Sequence, residues 1–230
     1  MVTLPAQTRI MKTFYLTTTG FLILLCISSP AQKPEVFNLQ KLVKKKGIDV
    51  FNRQLTLIHE GSHKGIRLSK DYGEGIAWLK GVEFSNGILE FDARGEDVEG
   101  HSFVGIAFHA RDNNTFDAIY LRPFRFNETD ESLKGHSLQY IALPTYTWRV
   151  LREKFLNKFE HSIDPSPDPN SWVHVRIVIK DAAVSTYING KKEPSLVVEK
   201  VSQISTGGVG FYVADTSGGD FANLTITKSN

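Results

Sequence analysis

From Gln54 onward the sequence consists of short segments in which apolar and polar residues alternate. The clearest segment is WVHVRIVIK at 172–180, where Val or Ile occupies every second position. A period of two places successive side chains on opposite faces of a β-strand. Turn-forming pairs such as Asn86-Gly87 and Asn189-Gly190 separate the segments. The pattern predicts an all-β, antiparallel sandwich of roughly a dozen strands.

Composition narrows the classes of scaffold and partner. Fifteen Phe, seven Tyr and three Trp suit the half-buried surfaces of β-sheets. A formal net charge of +2 provides no basic surface, so nucleic acid is not expected as a partner. A single cysteine excludes an intrachain disulfide and a thiolate zinc site. We therefore expect an aromatic-rich apolar core to hold the fold together.

The first 31 residues have the features of a secretory signal. Lys12 precedes a short apolar run, FLILLCI at 21–27, and small residues up to Ala31 follow it. The run is too short for a membrane-spanning helix, which needs about 20 apolar residues. We predict a signal over residues 1–31, cleaved after Ala31, and a periplasmic or secreted protein with no membrane span after cleavage. Met1 and Met11 both remain open as the start, and Cys26 leaves with the signal.

Residues 32–230 are predicted to form one domain. Trp148 to Glu160 has helix-like spacing and is either a short helix or an aromatic-rich loop. The three prolines of DPSPDPN at 164–170 exclude a helix or a central strand there, so this segment is expected to be a surface loop. No internal repeat and no second apolar core divides the remaining chain.

Three segments resemble the concanavalin A-like and laminin-G-like sandwiches. They are FSNGILEFDARG at 84–95, WVHVRIVIKDAAVSTYINGKKEPSLVV at 172–198 and GGVGFYVADTSGGDFANLTIT at 207–227. The resemblance implies a jelly-roll sandwich whose concave face is the usual carbohydrate site of that superfamily. The chain is also similar in part to bacterial 3-keto-disaccharide hydrolase-type domains, which are often exported. Because the superfamily includes lectins, glycosidases, lyases and protein-binding modules, its fold leaves the activity open.

The sequence departs from the catalytic pattern of the family-16 glucanases within this superfamily. That group places Glu, Asp and Glu at alternate positions of one strand. Here Glu90 and Asp92 fit, but Arg94 occupies the third position. Glycoside hydrolysis needs two carboxylates that flank the scissile bond. Any catalysis therefore requires a different set, for which the candidates are Glu160, Asp117, Glu90 and His109.

The segment from His109 to Glu160 carries the densest set of candidate ligand-binding groups. Gly105 and Ala107 precede His109 at alternate positions, so we expect a trough on that strand face. Sugar recognition uses planar donors and acceptors for hydroxyl groups and an aromatic surface for the C–H face of the ring. The candidates for these contacts are His109, Tyr120, Arg122, Gln139, Trp148 and Arg152.

The histidines lack metal-ligand spacing, so neither a metal nor a cofactor is expected. Loop oxygens of Asp215 or Asp220 could still hold a structural Ca²⁺. Two functions remain open. The first is an exported carbohydrate-binding sandwich that recognises a glycan on its concave face without cleaving it, which the missing carboxylate set favours. The alternative is a glycoside hydrolase or lyase of the concanavalin A-like or 3-keto-disaccharide hydrolase type with a non-family-16 catalytic set.

Overall fold

The computed structural model describes residues 1–2 and 33–229, so the predicted signal lies outside the described residues apart from its first two. Within this part of the chain the elements follow in the order β1 (Glu35–Val36), α1 (Leu39–Lys44), β2 (Ile48–Phe51), β3 (Leu55–Glu60), β4 (His63–Leu68), β5 (Gly75–Phe84), β6 (Asn86–Arg94), β7 (Val104–Asp112), β8 (Thr115–Leu121), α2 (Glu131–Lys134), β9 (Leu138–Leu143), α3 (Trp148–Lys154), β10 (Glu160–His161), β11 (Val173–Lys180), β12 (Ala183–Ile188), β13 (Leu196–Glu199), β14 (Gly207–Val213) and β15 (Gly219–Ser229).

The strands form two antiparallel sheets that pack as a jelly-roll sandwich, which confirms the predicted fold class. The first sheet has the order β13-β12-β11-β6-β15-β4-β3, and β1 also pairs with β15. The second sheet has the order β10-β9-β8-β7-β14-β5-β2. The described residues contain more strands than the dozen predicted, because the two-residue strands β1 and β10 and the short strand β2 have no clear alternation.

Aromatic side chains fill the space between the sheets. Phe211 of β14 stacks on Phe221 of β15 with ring centroids 4.6 Å apart, and meets Phe91 of β6 at 5.9 Å. All three rings are fully buried, and burial of each contributes about 1.5–3 kcal/mol. Because Phe211 points inward, its neighbour Tyr212 points to the opposite, outer face of the second sheet.

The structure shows the conformation of two segments, the one that begins at Trp148 and the turn-forming pair Asn86-Gly87 that follows Ser85. Trp148 to Lys154 is a short helix, α3, whose Thr147 N-cap side chain accepts a hydrogen bond from the Val150 N–H at 3.3 Å. The turn signal at Ser85 does not make a hairpin. Instead β5 belongs to the second sheet and β6 to the first, so the chain crosses between the sheets at this point.

Candidate functional site

A cleft of about 400 Å³ opens on the outer face of the second sheet. Its floor comes from β8, β9 and β14, and its walls come from α3 and the connecting loops. Aromatic and charged side chains dominate the lining. They are Phe103, Tyr120, Phe124, Trp148 and Tyr212, together with Glu74, Glu99, Arg122, Arg125, His136, Arg152 and Asp215.

Arg122 forms the buried floor of the cleft just after β8. Its guanidinium donates to the His136 carbonyl at 2.7 Å, the Tyr120 hydroxyl at 2.9 Å and the Gln139 amide oxygen at 3.1 Å. The rings of Tyr120 and Phe103 lie 5.1 and 5.8 Å from its Cζ atom. Burial lowers the pKa of Arg122 and raises the pKa of Tyr120 to about 12. Tyr120 is therefore a neutral hydroxyl at physiological pH.

Glu160 lies beneath this floor and is only 2% exposed. Arg152 donates to both carboxylate oxygens of Glu160, from Nε to Oε1 at 2.8 Å and from Nη2 to Oε2 at 2.6 Å. Nδ1 of His136 lies 3.0 Å from the carboxylate but has no aligned hydrogen bond, and Arg122 lies 3.6 Å away. Burial and then repulsion by the neighbouring arginines lower the pKa of His136, despite the attraction of Glu160. One carboxylate thus anchors two arginines and a neutral imidazole.

Trp148 stands at the rim, at the first residue of α3. Trp148 is 40% exposed. The guanidinium of Arg152, one helical turn further along, lies 4.9 Å from the ring. The guanidinium of Arg149 lies 5.3 Å from the same ring, so α3 holds two cations against Trp148 at the cleft.

The opposite end of the cleft carries carboxyl groups on two loops. Glu74 precedes β5, accepts a hydrogen bond from the buried Tyr212 hydroxyl, and has a pKa that burial raises. Asp215 follows β14 and accepts the Gly73 N–H at 2.7 Å. The alternation pattern does not reveal these groups, because they lie in loops that meet only when β5 and β14 pair.

Arg53 ties these two loops together. Its guanidinium donates to the carbonyls of Gly73 at 2.6 Å, Ser217 at 3.1 Å and Ala214 at 3.2 Å. The side chain is nearly buried, and burial lowers its pKa although three nearby carboxylates oppose this effect. The two loops at the carboxyl end of the cleft are therefore cross-linked by the hydrogen bonds of Arg53.

Four of the six candidate ligand-binding residues line the cleft: Tyr120, Arg122, Trp148 and Arg152. Gln139 lies below the floor, where its amide donates to the Tyr140 and Phe159 carbonyls and its oxygen accepts from Arg122. Gln139 is only 1% exposed, so it positions Arg122 and does not itself face the opening.

His109 does not lie in the trough expected from the alternation of Gly105 and Ala107. A β-bulge after Phe108 shifts the register with β8, and His109 adopts a φ of +52°. The bulge turns the ring to the inner side of the sheet, next to Asp117 at 3.4 Å and Phe84 at 6.1 Å between centroids. An extra residue in a strand breaks the period of two, which is why the sequence pattern misplaced this side chain.

Asp117 belongs to the same interior network and is fully buried. It accepts the hydroxyls of Ser202 at 2.8 Å and Tyr140 at 3.1 Å, and Nζ of Lys200 lies 3.6 Å away. Burial lowers the pKa of Lys200. Asp117 and His109 thus form a satisfied core network between the sheets, away from the cleft.

Glu90 occupies a third location, the outer face of the first sheet. It lies 3.5 Å from Arg176 and 3.9 Å from His174, both on β11. Asp92, two residues further along β6, accepts from Nδ1 of His174 at 2.8 Å. The candidate carboxylates Glu160, Asp117 and Glu90 are therefore not brought together in one site.

Among residues 33–229, no group of three or more His, Cys, Asp or Glu side chains has an arrangement that could hold a metal ion. Asp220 pairs with Arg67 at 2.6 Å and with Arg94 at 2.6 Å. Two guanidinium groups already neutralise that carboxylate, which makes it a poor Ca²⁺ ligand. In the same described region, no helix has both the length and the apolar character needed to cross a membrane.

Comparison with solved structures finds the same sandwich fold in several proteins. It is similar to the carbohydrate-binding module CBM66 from Bacillus subtilis, with a TM-score of 0.58 and 14% identity over 79% of this chain and 96% of that one. It is also similar to a native glycosidic hydrolase, with a TM-score of 0.56 and 10% identity over 88% and 99% of the two chains.

A third similar structure is the exoplasmic/lumenal domain of VIP36 bound to Ca²⁺ and Man3GlcNAc. Its TM-score is 0.50 and its identity 12%, over 80% of this chain and 84% of that chain. No protein-family model and no curated protein sequence matches the chain. The chain therefore has the concanavalin A-like, jelly-roll lectin-type fold expected from its strand order.

Proposed function

We propose that this protein binds a carbohydrate in the cleft on the outer face of its second sheet. The observation that carries the proposal is the exposed ring of Trp148 beside the guanidinium of Arg152, above a floor formed by Arg122 and Tyr120. An aromatic face can stack on the C–H surface of a sugar ring, and planar donors can hold its hydroxyl pairs. The cleft volume also lies in the range of small-molecule binding sites, about 300–1,000 Å³.

The similar structures support this choice of ligand class. CBM66 is named as a carbohydrate-binding module, and the VIP36 domain holds a Man3GlcNAc glycan. At these low identities the likeness concerns the fold, so the ligand class rests on the side chains of the cleft.

Glycan-array screening followed by calorimetry tests the proposal. We expect Trp148→Ala to weaken glycan binding at least about ten-fold, since a stacked aromatic ring contributes about 1.5 kcal/mol or more. Val197→Ala is the matched control, because Val197 is 58% exposed on β13 of the other sheet. Equal binding by the wild type and Trp148→Ala would place the ligand elsewhere.

A second candidate function, glycoside hydrolysis, is favoured by one specific observation. Glu74 lies in the cleft with a pKa raised by burial, and Asp215 lines the same cleft. A protonated carboxyl can donate to a glycosidic oxygen while a second carboxylate serves as nucleophile or base. Release of reducing sugar by the wild type, abolished in Glu74→Gln, would establish hydrolysis. Binding without turnover by both proteins would leave the carbohydrate-binding function alone.

We further propose that the protein is exported. The apolar run at 21–27 after Lys12, followed by small residues, supports this localisation. Expression in a bacterial host, followed by fractionation and N-terminal sequencing, tests it. A mature chain beginning at Gln32 in the periplasm or medium is expected, whereas an intact N-terminus in the cytoplasm would contradict export.

A further inference from the structure

The charges at the Arg122 end of the cleft do not balance. Two guanidinium groups, those of Arg122 and Arg152, face the single carboxylate of Glu160. His136 lies next to the same carboxylate, and its imidazole adds no negative charge there. The third arginine of the lining differs, because Arg125 is held by Glu99 and by Glu128 at 2.6 Å. The cationic excess therefore lies with Arg122 and Arg152, next to the exposed Arg149, whose guanidinium is 5.3 Å from the Trp148 ring.

Burial makes this excess of positive charge costly. Arg122 is 4% exposed, and its nearest carboxylate oxygen is 3.6 Å away. Burial lowers the pKa of both Arg122 and His136, because desolvation disfavours their protonated forms. An additional anion at this position would offset that cost.

Arg152 also keeps a donor available toward the opening, whereas both Nη atoms of Arg122 already donate to protein groups. Arg152 uses Nε and Nη2 for Glu160, which leaves Nη1 without a hydrogen bond to any described residue. Its side chain is 29% exposed and lies against Trp148, so the available edge borders the aromatic surface. A guanidinium edge next to a ring can hold an acidic substituent while the sugar stacks.

We propose that the cleft selects an acidic glycan, whose exocyclic carboxylate or sulfate docks on Arg152, near the buried charge of Arg122, while its ring stacks on Trp148. The inference rests on the proposed carbohydrate function and specifies its ligand class. The carboxyl groups of Glu74 and Asp215 at the far end face the neutral hydroxyls of the same ligand. The two ends of the cleft thus set the direction in which the sugar lies.

Matched sugars test this selectivity. Oligomers of glucuronate, galacturonate and mannuronate are each compared with their neutral hexose counterparts and with 6-O-sulfated forms, on an array and then by calorimetry. We expect an acidic member to bind at least about ten-fold more tightly than its neutral partner. Added salt should reduce this preference, because a partly exposed ion pair is screened. A preference for the carboxylate or for the sulfate identifies which anion the site takes.

Arginine variants connect the preference to the proposed contact. Arg152→Gln should abolish the preference for the acidic sugar, while Arg152→Lys, which retains the charge, should restore part of it. Arg176→Gln is the matched control, because Arg176 also stacks on an aromatic ring and lies near a carboxylate, but on the other sheet. Circular dichroism of each variant verifies that it is folded.

The outcomes separate the two proposals. Equal binding of neutral and acidic sugars would overturn the selectivity and leave carbohydrate binding intact. Binding of none of the sugars would remove the carbohydrate function itself. A preference for acidic sugars that persists in Arg152→Gln would also overturn the assignment to this end of the cleft.

Discussion

The two outer faces of the sandwich carry similar residues in different settings. On the first sheet, Glu90 lies near Arg176, and both side chains are about one-third exposed. On the second sheet, Glu160 pairs with Arg152 but is 2% exposed, because α3 and neighbouring loops build walls above the strands. A Glu–Arg ion pair is thus solvent-exposed on one face and has a buried carboxylate on the other. The two ion pairs differ in burial. The burial of Glu160 comes from the segments that connect the strands and not from the strands themselves.

The largest expected effect comes from removing the buried carboxylate. Glu160→Gln leaves Arg122 and Arg152 without their shared anion, which should lower the free energy of unfolding by about 3–5 kcal/mol. Glu90→Gln on the other face should change it by less than about 0.5 kcal/mol. Urea denaturation of both variants measures the contrast. Equal losses in the two variants would contradict the difference in burial between Glu160 and Glu90.

A somewhat smaller effect is expected at the brace of the cleft. Arg53→Lys loses donors to the carbonyls of Gly73, Ser217 and Ala214, at an expected cost of about 2–3 kcal/mol. Arg67→Lys is the matched change on the first sheet, where the arginine is half exposed and pairs with Asp220. That substitution should cost less than about 1 kcal/mol. Thermal and urea unfolding should rank the two variants in this order.

Histidine titration should have opposite signs on the two faces. The hydrogen bond to Asp92 raises the pKa of His174, whereas burial lowers the pKa of His136 below its ordinary value of 6.5. The His174 contribution is complete below pH 6.5 and is lost as pH rises through its raised pKa. For His136 the unfolded chain takes up a proton first, so stability falls as pH decreases through 6.5.

Nuclear magnetic resonance of the imidazole protons measures both pKa values directly. Unfolding free energies between pH 5 and 8 should show a weaker decline at high pH for His174→Gln, and a weaker decline at low pH for His136→Gln. Identical pKa values for the two rings would contradict the difference in environment.

A small effect is also expected for Arg176→Ala. Arg176 lies 3.5 Å from Glu90 and 5.1 Å from the Tyr187 ring, in a partly exposed setting. Exposed pairs of this kind contribute about 0.2–1 kcal/mol. Differential scanning calorimetry should therefore find a small shift, and a loss above about 2 kcal/mol would show that this face is as tightly coupled as the cleft.

The strands could be predicted from the sequence because alternation is local. The segment at 172–180 became β11 with Val173, Val175, Ile177 and Ile179 all buried. His109 was misplaced because a β-bulge changes the phase of the alternation without leaving a clear mark in the residues. Tyr120 lies where no bulge intervenes, and its side chain lines the cleft.

The carboxyl end of the cleft could not be predicted for a different reason. Glu74 and Asp215 lie 141 positions apart in the chain, and only the pairing of β5 with β14 brings their loops together. Glu160, in contrast, was singled out from its place after an aromatic-rich segment. The sequence does not predict its three partners, Arg122, His136 and Arg152, because they approach Glu160 only in the folded sheet with α3 packed on it. Long-range pairing therefore decides the charged part of the site.

The position of β15 has a consequence for biosynthesis. This strand follows all the others in the sequence, yet it lies in the interior of the first sheet between β6 and β4 and also pairs with β1. During synthesis the earlier strands leave the ribosome while this central place is empty, so β6 and β4 both present open edges. The first sheet can close only after residues 219–229 emerge. A chain interrupted before Gly219 is therefore expected to aggregate rather than to fold partially, because its first sheet lacks a central strand.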